Sequence, residues 1–382
     1  MPGEGTTNVY VIERRHVIAE RYRGKGKTGI EMKSTIDGAM ISRHTLLESA
    51  CLLASMPVLI MASSIRARAG SMDPLGSWND GPARQAILDF VQAVTDKSRS
   101  TFVDPEDRIA TFDQDGTLWV EHPLYAQAMF ALDRVRVLAP SHPAWKDDPP
   151  FSAILAEDQA AIAKFSEHDW TEIVAATHAG MSTEDFLDIV AKWLATARHP
   201  VFKRPYTELI YQPMLEVMEY LRVNGFRSYI VSAGGQEFVR NYAQRVYGLQ
   251  PEQVIGSSIV TEYDVENGKP ELMRLPRLFF VVDGKGKPTG INLFIGKRPH
   301  AAFGNSVGDR EMLEWTGAGS GARLRMLVHH DDARREFAYG PAGGLADTKI
   351  GTFPDSLMTE AKARGWTVIS MKSDWKQIFA FK

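Results

Sequence analysis

The sequence predicts an α/β protein built on a doubly wound, mostly parallel sheet with an inserted helical segment. Three observations carry this. Short apolar runs of strand character recur along the chain, among them "RIATF", "FRSYIV", "RLRMLV" and "WTVIS". Stretches with helical apolar spacing separate them, and polar residues collect where the apolar runs stop. Strands alternating with helices imply a parallel sheet covered on both faces. In such sheets a ligand lies beyond the carboxyl ends of the strands.

The bulk properties narrow the function classes. With 382 residues, 44% hydrophobic and 24% charged, the composition is that of an ordinary globular chain able to bury a large core. A net charge of -3 and the lack of a long basic block give no electrostatic ground for a nucleic-acid partner. The single cysteine, Cys51, excludes an internal disulfide framework and a multi-cysteine metal site.

The elements follow in chain order. Residues 1–69 read as an N-terminal extension. Within it Arg43 and His44 precede the uncharged run "ACLLASMPVLIMASSI" (50–65), and "RARAG" follows, the three-part pattern of a secretory signal with cleavage after Ala69. A buried helix or an uncut anchor is the alternative, though the run is short of a span and Pro57 interrupts it. Met40 suits a translation start, and Glu48 argues against a lipoprotein signal ending at Cys51. "GKGKTG" (24–29) imitates a phosphate-binding loop, but the required first glycine is Arg21 and no strand precedes it.

The second unit is 70–382. "RQAILDFVQAV" sets Ile87, Phe90, Val91 and Val94 at helical spacing, and "RIATFDQDG" reads as a buried strand ending in a turn. From about 120 to 205 the patterns are helical, suggesting a cap inserted between strands. Its clearest helix starts at a Ser182 cap and aligns Phe186, Ile189, Val190, Trp193 and Leu194 on one face. Then "QPMLEVMEYLRVNG" gives a helix stopping at Asn224–Gly225, "FRSYIV" a strand ending in "SAGG", and "QEFVRNYAQRVYGL" a helix ending at Gly248. Residues 260–282 hold two extended stretches, read as a meander or hairpin. "PTGINLFIG" is a short helix, "PHAAFGN" a strand with a polar end, and "RLRMLVHHDD" and "WTVISM" the last strands.

Four polar clusters fall at strand ends or helix starts: Asp113 with Asp115; Ser232 with Ala233, Gly234 and Gly235; Lys287 and Lys297; Asn305 with Asp309. In this order they make the chain resemble the haloacid dehalogenase superfamily of phosphohydrolases, in its phosphoserine-phosphatase-like branch. "DQDGT" matches the first motif, "YIVSAGG" the second, a later lysine the third, and "GNSVGDREML" the fourth. The resemblance covers roughly residues 106–371.

The resemblance implies a Mg2+-dependent phosphomonoesterase working through an aspartyl-phosphate. Asp113 would be the nucleophile and a metal ligand. Asp115 would give its backbone carbonyl to the metal, and its side chain would protonate the leaving group and then activate water. Ser232 and the backbone of Ala233 and Gly234 would hold phosphate oxygens. Either Lys287 or Lys297 would neutralise the phosphate, with Lys287 favoured because it opens a helix. Asn305 and Asp309 would complete the metal shell. Asn305 departs from the family, where an aspartate stands. An amide binds Mg2+ without charge, so Asp309 is an alternative ligand.

Two features stay open at this level. "HHDD" (His329–Asp332) is favoured as a polar loop because no metal-ligand spacing fits. Trp119, His122 and Tyr125 either line a substrate pocket, even a cage for a choline-like cation, or pack the hinge of the cap. The reading is thus a periplasmic or secreted phosphatase of small phosphomonoesters, with no nucleic-acid partner and no stable membrane association after cleavage. Alternatives are a phosphotransferase or dehalogenase of the superfamily, or a non-catalytic phospholigand-binding protein. The acid at Asp115 argues against a dehalogenase, which lacks one there.

Overall fold

Five of the predicted strand segments become neighbours in one sheet because their residues alternate between two apolar layers. A computed structural model describes residues 73–266, 268–340 and 350–381. They belong to one unit, Ala67–Lys382. The proposed signal segment, Cys51, the Met40 start and the "GKGKTG" decoy lie outside the described residues. None of the described helices is long and apolar enough to cross a membrane.

The chain enters through α1 (Pro82–Thr95), which buries Ile87, Phe90, Val91 and Val94 as its spacing predicts. Strand β1 (Ile109–Phe112) is buried along its whole length. A helical stretch follows: α2 (Ala126–Leu138), the short α3 (Phe151–Leu155) and α4 (Gln159–Ile162), α5 (Glu167–His178) and α6 (Thr183–Thr196). Ser182 caps α6, its hydroxyl accepting the Asp185 N–H at 3.0 Å. Then come α7 (Gln212–Val223), β2 (Arg227–Gly235) and α8 (Gln236–Tyr247), which ends at Gly248 in the left-handed conformation. A long hairpin, β3 (Val254–Glu266) and β4 (Lys269–Phe280), precedes α9 (Gly286–Ile295) and β5 (Ala301–Gly304). The chain closes with α10 (Arg310–Gly317), β6 (Leu324–His329), α11 (Asp355–Ala363), β7 (Thr367–Ser370) and α12 (Met371–Asp374).

The sheet order is β4-β3-β2-β1-β5-β6-β7, parallel except for the β3–β4 hairpin. Alternate residues explain its two covered faces. Ile230, Ala301, Phe303, Met326 and Val328 join α1, α7 and α8 in one core. Their sequence neighbours Val231, Ala302 and Leu327 join α9, α10 and α11 in the other. Phe112 pairs with Ile230 on one side and Phe303 on the other, so β1 is central and three strand ends lie side by side.

The helices between β1 and β2 divide in a way that the sequence did not reveal. α2, α3, α4 and α5 share a small core of their own, with Leu132, Val135, Phe151, Ile154 and Ile173. The apolar face of α6 instead packs into the main core with Phe238 and Tyr242 of α8. The hairpin reaches this segment too: Gly180 N–H donates to Arg274 O at 2.8 Å, and Arg274 N–H to Met181 O at 2.9 Å.

Candidate active site

The turn after β1 is shaped by close packing. Gly116 has φ of +73°, and a Cβ there would collide with the Asn305 amide and the Glu121 carboxylate. This lets the chain turn back sharply, with Gly116 N–H donating to Trp119 O at 2.9 Å. Asp113 N–H donates to Phe303 O of β5 at 2.9 Å, which fixes the backbone where its side chain leaves the sheet. Asp115 is held by the indole of Trp119, which donates to Oδ1 at 2.6 Å. Trp119 itself is buried and stacked on Tyr242.

Lys287, in the first turn of α9, is only 2% exposed. Its ammonium spans three strand ends, donating to Asp113 Oδ1 at 2.5 Å, Asp309 Oδ1 at 2.6 Å and Val231 O at 3.1 Å. Ser232, near the carboxyl end of β2 where its register with β3 shifts, is buried, and its hydroxyl accepts the Gly234 N–H at 3.0 Å. The amino end of α8 lies immediately beyond, where the helix dipole favours an anion.

A cavity of about 480 Å³ brings these groups together. Asp113, Asp115, Ser232, Ala233, Gly234, Lys287 and Asn305 all line it. Two expected residues have other places. Lys297 is a correction: its ammonium bonds Asp107 Oδ1 at 2.5 Å and Glu106 O at 3.1 Å, ahead of the amino end of β1 and so at the opposite end of the strands from the cavity. The helix α9 runs from one end of the strands to the other, so residues at its two termini cannot share a site. Asp309 stands behind the cavity lining. Fully buried, it accepts the Lys287 ammonium on Oδ1 and the Asn305 and Ser306 N–H groups on Oδ2 at 2.9 and 3.1 Å. Both oxygens hold the lysine and the loop.

The open features also resolve. Tyr125 lines the cavity, whereas Trp119 and His122 pack, His122 against Tyr339 and Phe337. "HHDD" forms separate hydrogen bonds: Asp331 with Ser370, Asp332 with Arg335, and His330 from Nε2 to Gly116 O at 2.7 Å. His330 thereby ties the β1 turn to Glu336.

Several site residues escaped the sequence reading. Glu121, Gln127, His178, Glu237 and Arg274 line the cavity. Gln127 accepts the Gly235 N–H at 2.6 Å and bonds the His178 ring at 3.1 Å. Arg274, from the hairpin, is buried over Phe186 and paired with Glu237 at 3.2 Å. Glu121 had one sequence signal, an acid closing the apolar run Leu118–Val120 right after the turn.

Electrostatics sets the demand on this corner. Burial and then the Asp309 charge raise the Asp113 pKa, and Lys287 only partly offsets them. Burial pushes Asp115 up to about 6. Burial, then Asp115 and Asp113, carry Glu121 well above the usual carboxylate range, although its bond from Tyr339 acts the other way. For Lys287 burial acts downward, but Asp113 and Asp309 outweigh it and its pKa is raised. His178, buried near Arg274, is lowered to about 3 and stays neutral.

The acids outnumber the lysine, and every accessible donor is oxygen: the Asp113 and Asp115 carboxylates, the Asn305 amide and backbone carbonyls. That set fits a hard divalent cation. Among the described residues no three His, Cys, Asp or Glu side chains form a metal cage. An ion that takes oxygen ligands and keeps waters, such as Mg2+, fits these donors.

The family model described as haloacid dehalogenase-like hydrolase matches residues 110–314, more than half of the chain. No match was found among curated proteins. Among solved structures, a protein of unknown function from Bordetella pertussis Tohama I is 17% identical, with 69% of this chain and 97% of that one covered and a TM-score of 0.42. A functionally unknown protein from Anaerococcus prevotii DSM 20548 is 16% identical over 77% and 94%, with a TM-score of 0.48. A phosphoserine phosphohydrolase-like protein from Francisella tularensis subsp. tularensis SCHU S4 is 14% identical over 58% and 87%, with a TM-score of 0.32.

Proposed function

The chain belongs to the haloacid dehalogenase-like hydrolases, and we propose that it is a Mg2+-dependent phosphomonoesterase acting on small phosphorylated metabolites through an aspartyl-phosphate. The observation that carries this reading is the buried Lys287 joining Asp113 and Asp309, with Asp113, Asp115 and Lys287 lining one cavity.

Asp113, the Asp115 carbonyl and Asn305 would hold the cation, which supplies positive charge to a phosphate dianion facing an anionic nucleophile. Asp113 attacks phosphorus through one carboxylate oxygen while the ester oxygen departs with the proton of Asp115. A pKa near 6 suits that group for giving a proton and then taking one. Asp115 next removes a proton from water, whose oxygen attacks phosphorus, releasing phosphate and restoring Asp113. Lys287 neutralises the nucleophile throughout, while Ser232 and the start of α8 receive phosphate oxygens. The helices between β1 and β2, with the hairpin, roof the cavity and would select the rest of the substrate.

Hydrolysis of p-nitrophenyl phosphate by the full chain, with and without Mg2+, tests the reading. Metal-dependent turnover is expected; binding of phosphate without turnover under varied metals would favour a binding protein. A periplasmic or secreted location is proposed on the 50–69 pattern alone, and the amino-terminal sequence of the mature protein tests it. A start at Gly70 is expected.

A further inference from the structure

Position 305 carries an amide where the resembling family carries an acid, yet the corner does not lack a carboxylate. Glu121, eight residues beyond Asp113, is 2% exposed and lines the cavity. Its Oε1 accepts Asn305 Nδ2–H at 2.7 Å and also the Tyr339 hydroxyl. Asn305 Oδ1, at the other end of the amide, accepts Thr117 Oγ1–H at 3.3 Å. The amide thus has a defined polarity: its nitrogen is committed to Glu121, and its oxygen is the end able to serve a cation.

The surroundings are shaped for this carboxylate. Gly116 and Gly351, both at positive φ, are the places where an added Cβ would strike it. An aspartate at 305 would set a second carboxylate oxygen where Nδ2 now lies, 2.7 Å from Glu121 Oε1. Two anionic oxygens that close repel. Glu121 and an acid at 305 therefore cannot both be ionised, whereas Glu121 and Asn305 complement each other.

We infer that Glu121 is a positioning residue for the cation site: by accepting Nδ2–H it orients the Asn305 amide as a neutral oxygen ligand, and, ionised when a cation is bound, it supplies beside it the negative charge that an aspartate there would carry. The inference rests on the proposed Mg2+ dependence. Outer partners of this kind orient ligands and change metal affinity by about 10- to 100-fold when removed.

The test is Mg2+ binding by calorimetry on the full chain, in a cycle of wild type, Glu121→Gln, Asn305→Asp and the double variant, each checked by thermal melting. Glu121→Gln should weaken Mg2+ binding by about 10- to 100-fold. Asn305→Asp should gain less than about threefold with Glu121 present, yet about tenfold or more in the Glu121→Gln background, because only there is the clash removed. Unchanged affinity in Glu121→Gln, or an equal effect of Asn305→Asp in both backgrounds, would overturn the inference. Absence of Mg2+ binding by the wild type would overturn it as well. If Glu121→Gln does not fold, the double variant decides: affinity within about threefold of wild type supports the charge exchange, and a loss beyond about tenfold rejects it. Mg2+ binding with this pattern but no p-nitrophenyl phosphate turnover would strike the phosphatase reading alone.

Discussion

Two lysine–aspartate pairs sit at the two ends of β1 with the same 2.5 Å separation. Lys287–Asp113 lies at the carboxyl end and Lys297–Asp107 ahead of the amino end. Their surroundings differ completely. Lys287 is 2% exposed and shares its charge with Asp309, while the side chains of Lys297 and Asp107 are 41% and 49% exposed. Distance alone therefore says little about what an ion pair does. Water screens the outer pair to near irrelevance. The inner one holds two acids that would otherwise repel, in a setting where removal of the lysine leaves buried charge unmatched.

Perturbations at the inner end should have large effects. Asp113→Asn should remove turnover by a factor on the order of 10⁴ or more while the protein still melts cooperatively, as steady-state kinetics and calorimetry would show. Lys287→Met should cost about 3–5 kcal/mol in urea unfolding, because Asp113 and Asp309 then face each other without a cation. Trp119→Phe keeps an aromatic ring beside Tyr242 but loses the bond to Asp115. A lost hydrogen bond to a charged group is worth about 1.5–3 kcal/mol, so kcat should fall about 10- to 100-fold.

Mg2+ should stabilise the protein in a pH-dependent way. Asp113, the carboxylate that would bind the cation, is pushed up to about 8 by burial and then by the Asp309 charge, so below that value protons compete with the cation. The rise in melting temperature on adding Mg2+ should be full above about pH 8 and should fade as pH drops through that value. The fading corresponds to roughly 1.4 kcal/mol for each proton and pH unit. The smallest effect belongs to the outer pair. Lys297→Ala should change unfolding free energy by no more than about 0.5 kcal/mol and leave turnover intact. A large effect there would break the comparison.

The strands and most of the site were legible in sequence because buried parallel strands read as apolar runs and their ends as polar interruptions. β1, β2 and β5 were found this way, and with them Asp113, Ser232 and Asn305. Which lysine belonged was not decided by spacing, since both flank the same helix; only the end of the strands each one meets separates them. Arg274 was invisible because it sits midway along a hairpin strand, and its partner Glu237 and its neighbour Phe186 come from distant helices. The fate of α6 was equally hidden: its apolar stripe was plain, but sequence periodicity gives a buried face without naming what covers it.

The central claim is that Asp113 takes the phosphoryl group. The direct measurement is an acid-quenched single turnover followed by borohydride reduction, which converts an acyl phosphate to the alcohol, and peptide mapping by mass spectrometry. The account expects homoserine at position 113 and nowhere else, absent in Asp113→Asn. Turnover with Asp113 unmodified, or with the label on Asp115, would contradict it.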